Sequence, residues 1–227
     1  MNILAVVAHP DDEILGCGAT LRHLADAGHN VFSCVLCSTA GERFDRPSLD
    51  RLKQVAKKAS NLIGISESLE YEFENIRFNV VPHIEMVRAV ETAITKYKPA
   101  WIFTHHPGDL NIDHRVCYDA TMAAAMLPQR LSSELPPTMI EKIFLFEILS
   151  STDWAPPIGE AFRPNSFFDV GASFEAKMKA LDAFEGALKP APHSRSSDNV
   201  RRLGKLRGSQ VGIEVAEAFC LVRDINH

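Results

Sequence analysis

Short apolar runs alternate with longer amphipathic stretches along most of this chain. Strand-like runs fall at Ile3–Ala8, Val31–Cys37, Leu69–Phe73, Trp101–His105 and Ile143–Leu149. Between them, apolar residues recur at helical spacing over Ile14–Ala27, Leu49–Ile63, Val81–Tyr97 and His114–Met126. Near-continuous apolar strands separated by helices predict an α/β fold: a Rossmann-like, doubly wound, mostly parallel sheet with helices on both faces. Such sheets bind ligands beyond the carboxyl ends of their strands. Polar clusters that directly follow a strand-like run are therefore the places to look for chemistry.

The last third is less regular. A Pro-rich stretch (Ala155-Pro156-Pro157, Arg163-Pro164-Asn165) precedes an apolar run at Phe167–Val170 and a helical pattern over Phe174–Leu188. Pro190 and Pro192 end that helix. A basic stretch, Arg195 to Arg207, then leads to a final strand-like run at Ala216–Val222. With no internal repeat and no low-complexity linker, residues 1–227 read as one domain.

Composition narrows the class. A chain of 227 residues, 46% hydrophobic and 23% charged, can bury a full core. A formal net charge of −5 argues against general nucleic-acid binding. No apolar run reaches membrane-spanning length, and Ile3–Ala8 is too short and too soon followed by charge for a signal peptide. A cytoplasmic protein without a membrane anchor is expected. The five cysteines are irregularly spaced and suggest no disulfide framework. Cys34 and Cys37 lie three apart on a strand, facing opposite sides, and read as buried small hydrophobes.

The first polar cluster is His9-Pro10-Asp11-Asp12-Glu13. A dinucleotide fingerprint would place glycines here. Gly16-Cys17-Gly18 comes late, Leu21 stands where the third glycine belongs, and the acidic turn would repel a pyrophosphate. Helix capping accounts for the carboxylates but leaves His9 unexplained. A metal accounts for both: His9 and Asp12 can converge on one ion, while Asp11 points elsewhere and can serve a metal-activated water as base. The second cluster, His105-His106-Pro107-Gly108-Asp109-Leu110-Asn111-Ile112-Asp113-His114-Arg115, also follows a strand. His114, at a helix start, mirrors the setting of His9. His9, Asp12 and His114 together make an open site of two imidazoles and a carboxylate.

The AHPDDE segment followed by a downstream N-x-D-H-R resembles the PIG-L/LmbE-like family of zinc-dependent de-N-acetylases, which act on N-acetylglucosamine-type sugars. Gly41-Glu42-Arg43, His193-Ser194-Arg195-Ser196 and the closing Arg207-Gly208-Ser209-Gln210 and Ala216-Glu217-Ala218-Phe219 extend the likeness. The resemblance implies that His9, Asp12 and His114 hold Zn2+ and that Asp11 is the general base. Fe2+, Mn2+ or Co2+ could occupy the same ligands. It further implies a small-molecule substrate, an N-acetylated sugar that is free, nucleotide-linked or part of a glycoconjugate. A homo-oligomer is possible, its site completed by a neighbour's tail.

One position departs from the family pattern. Many relatives carry a histidine three residues before the metal histidine, where this chain has Asn111. His193 is expected to supply that imidazole, with Asp113 orienting it. Arg43, Glu42, Asn111, Arg77 and Asp109 are the expected substrate-binding residues, Asp109 serving equally well as a loop cap. The basic stretch reads either as phosphate recognition or as the solvated face of a helix or a subunit interface, and Trp154 as a sugar platform or core. Three rivals stand beside the deacetylase. A metal-dependent hydratase acting on a small acid would be favoured by extra basic residues facing the metal. An iron(II) oxygenase would use the same ligand types, usually on a β-barrel. A non-catalytic sugar- or metal-binding protein would have no use for Asp11.

Overall fold

The computed structural model describes residues 1–37, 49–126, 140–156, 159–184 and 186–226. In chain order its elements are β1 (Asn2–Val7), α1 (Asp12–Asp26), β2 (Asn30–Val35), α2 (Leu49–Leu62), β3 (Ile65–Glu70), a 3-10 turn (Phe78–Val80), α3 (His83–Tyr97), β4 (Trp101–His105), α4 (Ile112–Met126), β5 (Lys142–Phe146), β6 (Ser166–Asp169), α5 (Phe174–Ala183), α6 (Ser197–Ser209) and β7 (Ala216–Asp224). They form one seven-stranded sheet in the order β3-β2-β1-β4-β5-β7-β6. β1 to β5 run parallel; β7 pairs antiparallel with both β5 and β6. The α/β, mostly parallel sheet is the one expected.

Alternation along β1 shows why its sequence is apolar throughout. Ile3, Ala5 and Val7 enter one core with residues of α1, α2 and α5, whereas Leu4 and Val6 enter the other with residues of α3 and α4. A strand covered on both faces has no polar side to show. Gly16 and its neighbours also have a packing explanation: a Cβ at Gly16 would collide with the ring of Phe146, so glycine lets α1 lie close on β5.

The largest departures from the expected boundaries are at three elements. β3 begins at Ile65 rather than Leu69 because it is an edge strand, half exposed, and its pairing with β2 rather than apolar density defines it. β5 ends at Phe146, and Glu147–Leu149 leave the sheet. The helix expected over Phe174–Leu188 stops at Ala183, and a separate helix, α6, occupies most of the basic stretch.

On α6, Arg201 pairs with Glu175, and Arg207 makes two 2.7 Å hydrogen bonds to Glu147. Arg201 and Arg207 are thus engaged in intramolecular ion pairs, and Arg202 donates to Asn199 of the same helix. The Ala216-Glu217-Ala218-Phe219 segment is β7, whose Glu217 accepts from the backbone of Ala19 and Thr20 and from Lys177 at 2.6 Å. Lys177 also donates to the carbonyl of Leu15. This buried pair fastens α5 and β7 to α1. Cys34 and Cys37 are both buried, as expected of small hydrophobes. Among the described residues, no helix is long and apolar enough to cross a membrane.

Candidate metal centre and active site

The strand order reverses between β1 and β4, the switch point at which doubly wound sheets open a crevice. His9 and Asp12 follow β1, and Asp109 to His114 follow β4. Asp12 is the hub. Its Oδ2 lies 3.2 Å from His9 Nδ1, 3.3 Å from His114 Nε2 and 3.4 Å from His105 Nε2, and it accepts the His9 backbone N–H at 2.9 Å. All four side chains are buried.

Each of the two outer imidazoles has a carboxylate behind it. His9 Nε2 is 3.1 Å from Asp113 Oδ2, and His114 Nδ1 is 3.1 Å from Asp109 Oδ2. Asp113 is itself seated by the backbone N–H groups of Ile76 at 2.5 Å and Phe78 at 3.1 Å. Asp109 accepts from Asn111 N at 2.8 Å, Thr152 Oγ1 at 2.8 Å and the Ser151 hydroxyl. Such pairs fix which ring nitrogen faces inward: Nδ1 of His9 and Nε2 of His114.

Burial and charge set the protonation pattern. Burial opposes a charge on His9, but its hydrogen bonds to Asp113 and Asp12 prevail and raise it to about 9. Burial likewise opposes a charge on His114, yet Asp12 and Asp109 raise it to about 9. Burial pushes Asp12 up, but His114 and His9 hold it well below the usual carboxylate range. His105 goes the other way, down to about 3, through burial and then repulsion by His114. It stays neutral, its Nε2 accepting the Ala8 N–H at 3.0 Å. Glu13 is raised to about 8 by burial and by the adjacent Asp11 and Asp12.

This donor set fits a divalent cation. One ligand atom from each of His9, Asp12 and His114 lies within 4.8 Å of the others. Without metal, both imidazoles hold a second proton; exchanging those two protons for one divalent ion leaves the net charge of the buried cluster unchanged. His105, Asp109 and His114 satisfy the same spacing, with both Asp109 oxygens already accepting from the hydroxyls of Ser151 and Thr152.

Asp11 sits at φ 108°, ψ −22°, a conformation unfavourable for a residue with a Cβ. It is the N-cap of α1 by position, yet its side chain makes no capping hydrogen bond, so capping does not explain it. Its Oδ2 instead lies 3.5 Å from NH1 of Arg195. Non-glycine positive φ also occurs at Ile76 and Ser150, on two further loops that touch this cluster through Asp113 and Arg195.

Several expected roles move. Asp113 backs His9 rather than His193. His193 accepts the Arg195 N–H on Nδ1 at 3.0 Å and its ring lies 5.3 Å from that of the half-exposed Trp154; with Nδ1 accepting, a neutral ring carries its proton on Nε2. Asp109 is 2% exposed with both oxygens engaged, so it is a support for His114 and not a substrate contact. Asn111 Oδ1 accepts the Asp113 N–H at 3.0 Å, capping α4. Arg77 pairs with Glu74, both side chains exposed, between two residues whose backbone N–H groups seat Asp113. Glu42 and Arg43 lie outside the described residues. Sequence reasoning did not single out Arg195, although the His193-Ser194-Arg195-Ser196 segment carried the signal.

A His9, Asp12 and His114 group that could hold a metal ion thus lies at the switch point of a doubly wound α/β sheet, with Asp11 next to it in the chain. The family model PIG-L, GlcNAc-PI de-N-acetylase, matches residues 4–125, and the chain belongs to this family of de-N-acetylases. The Escherichia coli (strain K12) protein named uncharacterized deacetylase YaiS is 31% identical over 145 residues, 61% of this chain and 76% of that protein. Among solved structures, N,N'-diacetylchitobiose deacetylase from Pyrococcus horikoshii superposes with a TM-score of 0.75 at 19% identity, covering 98% of this chain and 84% of that one. GalB, the 4-carboxy-2-hydroxymuconate hydratase from Pseudomonas putida KT2440, does so with a TM-score of 0.76 at 17% identity, covering 100% and 98%. These two likenesses concern the fold.

Proposed function

We propose that this chain is a metal-dependent N-deacetylase that removes an acetyl group from an amino sugar or sugar conjugate, with zinc as the ion held by His9, Asp12 and His114. The observation that carries the reading is the contrast between two adjacent carboxylates: Asp12 is buried among imidazoles, and Asp11 is withheld from capping and left at the edge of the same cluster. When bound, the ion supplies Lewis-acid polarisation of the acyl carbonyl and makes water easier to deprotonate. Asp11 takes the proton from that water as it adds to the carbonyl carbon. Asp11 then returns the proton to the amine nitrogen as the C–N bond breaks, so that acetate and a free amine result. Asp113 and Asp109 keep the imidazoles of His9 and His114 oriented. In this reading His193 and Trp154, whose rings lie 5.3 Å apart, meet the sugar.

Zinc leads because the reaction needs a Lewis acid and no redox change, and because the ligands mix nitrogen and oxygen donors. The test is amine release from a panel of N-acetylated sugars and nucleotide sugars by protein of measured metal content. Release that tracks zinc occupancy and vanishes in Asp11→Asn supports the reading. Stoichiometric metal with no amine from any sugar sinks the deacetylase. The hydratase reading would then lead, since Arg195 gives the base a cationic neighbour that a small acid could also use.

A further inference from the structure

The guanidinium of Arg195 bridges two strained turns. Its Nε donates to the carbonyl of Leu149 at 3.0 Å and to Ser150 Oγ at 2.8 Å, where Ser150 has φ 66°. Its NH1 stands 3.5 Å from Oδ2 of Asp11, where φ is 108°. The backbone beneath it is equally tied. Arg195 N donates to His193 Nδ1, and its carbonyl accepts from Lys189 N at 3.1 Å. Ser196 caps α6 through Asn199 N, and the Asn199 side chain returns to the carbonyl of His193 at 3.1 Å. The rim residue is thus a fixed cation. Its side chain is 20% exposed and that of Asp11 is 16% exposed, so the pair is shielded but reachable from the cleft.

The carboxylate of Asp11 makes no capping bond to α1 and has the anchored guanidinium of Arg195 beside it. We infer that Arg195 is a positioning residue for Asp11: it holds the carboxylate of the base in register with the reacting water and stores no substrate charge itself. The inference rests on the deacetylase reading for its kinetic consequence and on the Arg195–Asp11 geometry alone for its structural one. A surface strut would show neither. It also gives α6 a task, since the helix cap presents the arginine while the basic residues further along pair with Glu175 and Glu147.

The experiment compares Arg195→Ala, Arg195→Lys and, as a control on the helix that follows, Arg201→Ala, all loaded with zinc. Displacing a reacting group by about an ångström can cost on the order of 100-fold in rate. Arg195→Ala should therefore lower kcat by about 100-fold with KM changed less than about threefold. Arg195→Lys, which keeps the charge but loses the Nε anchor, should fall between it and the wild type, and Arg201→Ala should match the wild type. In the crystal structure of the zinc-loaded Arg195→Ala protein, the Asp11 carboxylate should leave its position or split between two. A rise in KM at unchanged kcat would overturn the inference and make Arg195 a substrate contact. An unchanged Asp11 position with unchanged kcat would make it a strut. If Arg195→Ala does not fold, the kcat and KM of Arg195→Lys decide. If the wild-type protein releases no amine from any sugar, the deacetylase reading fails, and the position of Asp11 in the variant crystal still decides this one.

Discussion

The parallel half of the sheet and the antiparallel C-terminal third use their charged residues in opposite ways. In the parallel half, Asp12, Asp109 and Asp113 are turned inward at strand ends onto imidazoles, and the fold holds a cluster whose balance a cation can take over. In the C-terminal third, Lys177–Glu217 and Arg207–Glu147 are closed pairs between elements. Arg195 is the crossing point: it belongs to the second region and faces the first. The contrast shows that burial of charge by itself identifies no site. What distinguishes the crevice is that its imidazole nitrogens converge on one point.

The comparison can be broken from the side of the metal first. His9 and His114, raised to about 9 in the metal-free protein, must each give up a proton to a bound cation. Apparent metal affinity should therefore climb with pH, by up to about 100-fold per unit, and level off above about 9. Zinc titration by competition with a chelator across this range would show it, and a flat profile would remove the proton exchange.

Asp11→Asn should keep stoichiometric zinc while turnover falls by about 10³-fold; loss of metal together with activity would mean that Asp11 is a ligand. On the other side of the comparison, Lys177→Met should cost about 3–5 kcal/mol in stability, because Glu217 stays buried with its cation gone. Denaturant melts would measure this, and zinc stoichiometry should not move. Asp109→Asn should weaken zinc binding by about 10- to 100-fold with a much smaller stability loss; a large loss in melting temperature at unchanged affinity would place Asp109 with the structural pairs. The smallest effect belongs to the exposed Arg22–Asp26 pair on α1, where Arg22→Ala should change stability by less than about 0.5 kcal/mol.

Much of this was legible in one dimension. Apolar runs of strand length separated by helical periods specify a covered parallel sheet because a strand buried on both faces cannot carry polar residues. The proposed ligand set could be put forward because His9 and Asp12 directly follow one such run, His114 opens the helix that follows another, and the AHPDDE segment is short enough for chain geometry to fix its spacing. The edge strand β3 was harder to place because exposure dilutes its apolar signal. α6 was hard to place because its stability comes from capping and from ion pairs with distant residues, which no local period records.

The sequence by itself determined the α/β architecture, the crevice and the choice of His9, Asp12 and His114 as the group gathered there, since all of these follow from local periodicity and strand ends. Only the tertiary structure decided which carboxylate stands behind which imidazole. Asp113 went to His9, 104 positions away in the chain, and Asp109 to His114. Only the folded chain likewise made Asn111 a cap and set Arg195 against Asp11. The reason is physical: a hydrogen bond is decided within about 3 Å, and which groups come that close across a fold depends on how helices and loops pack, which residue spacing does not encode.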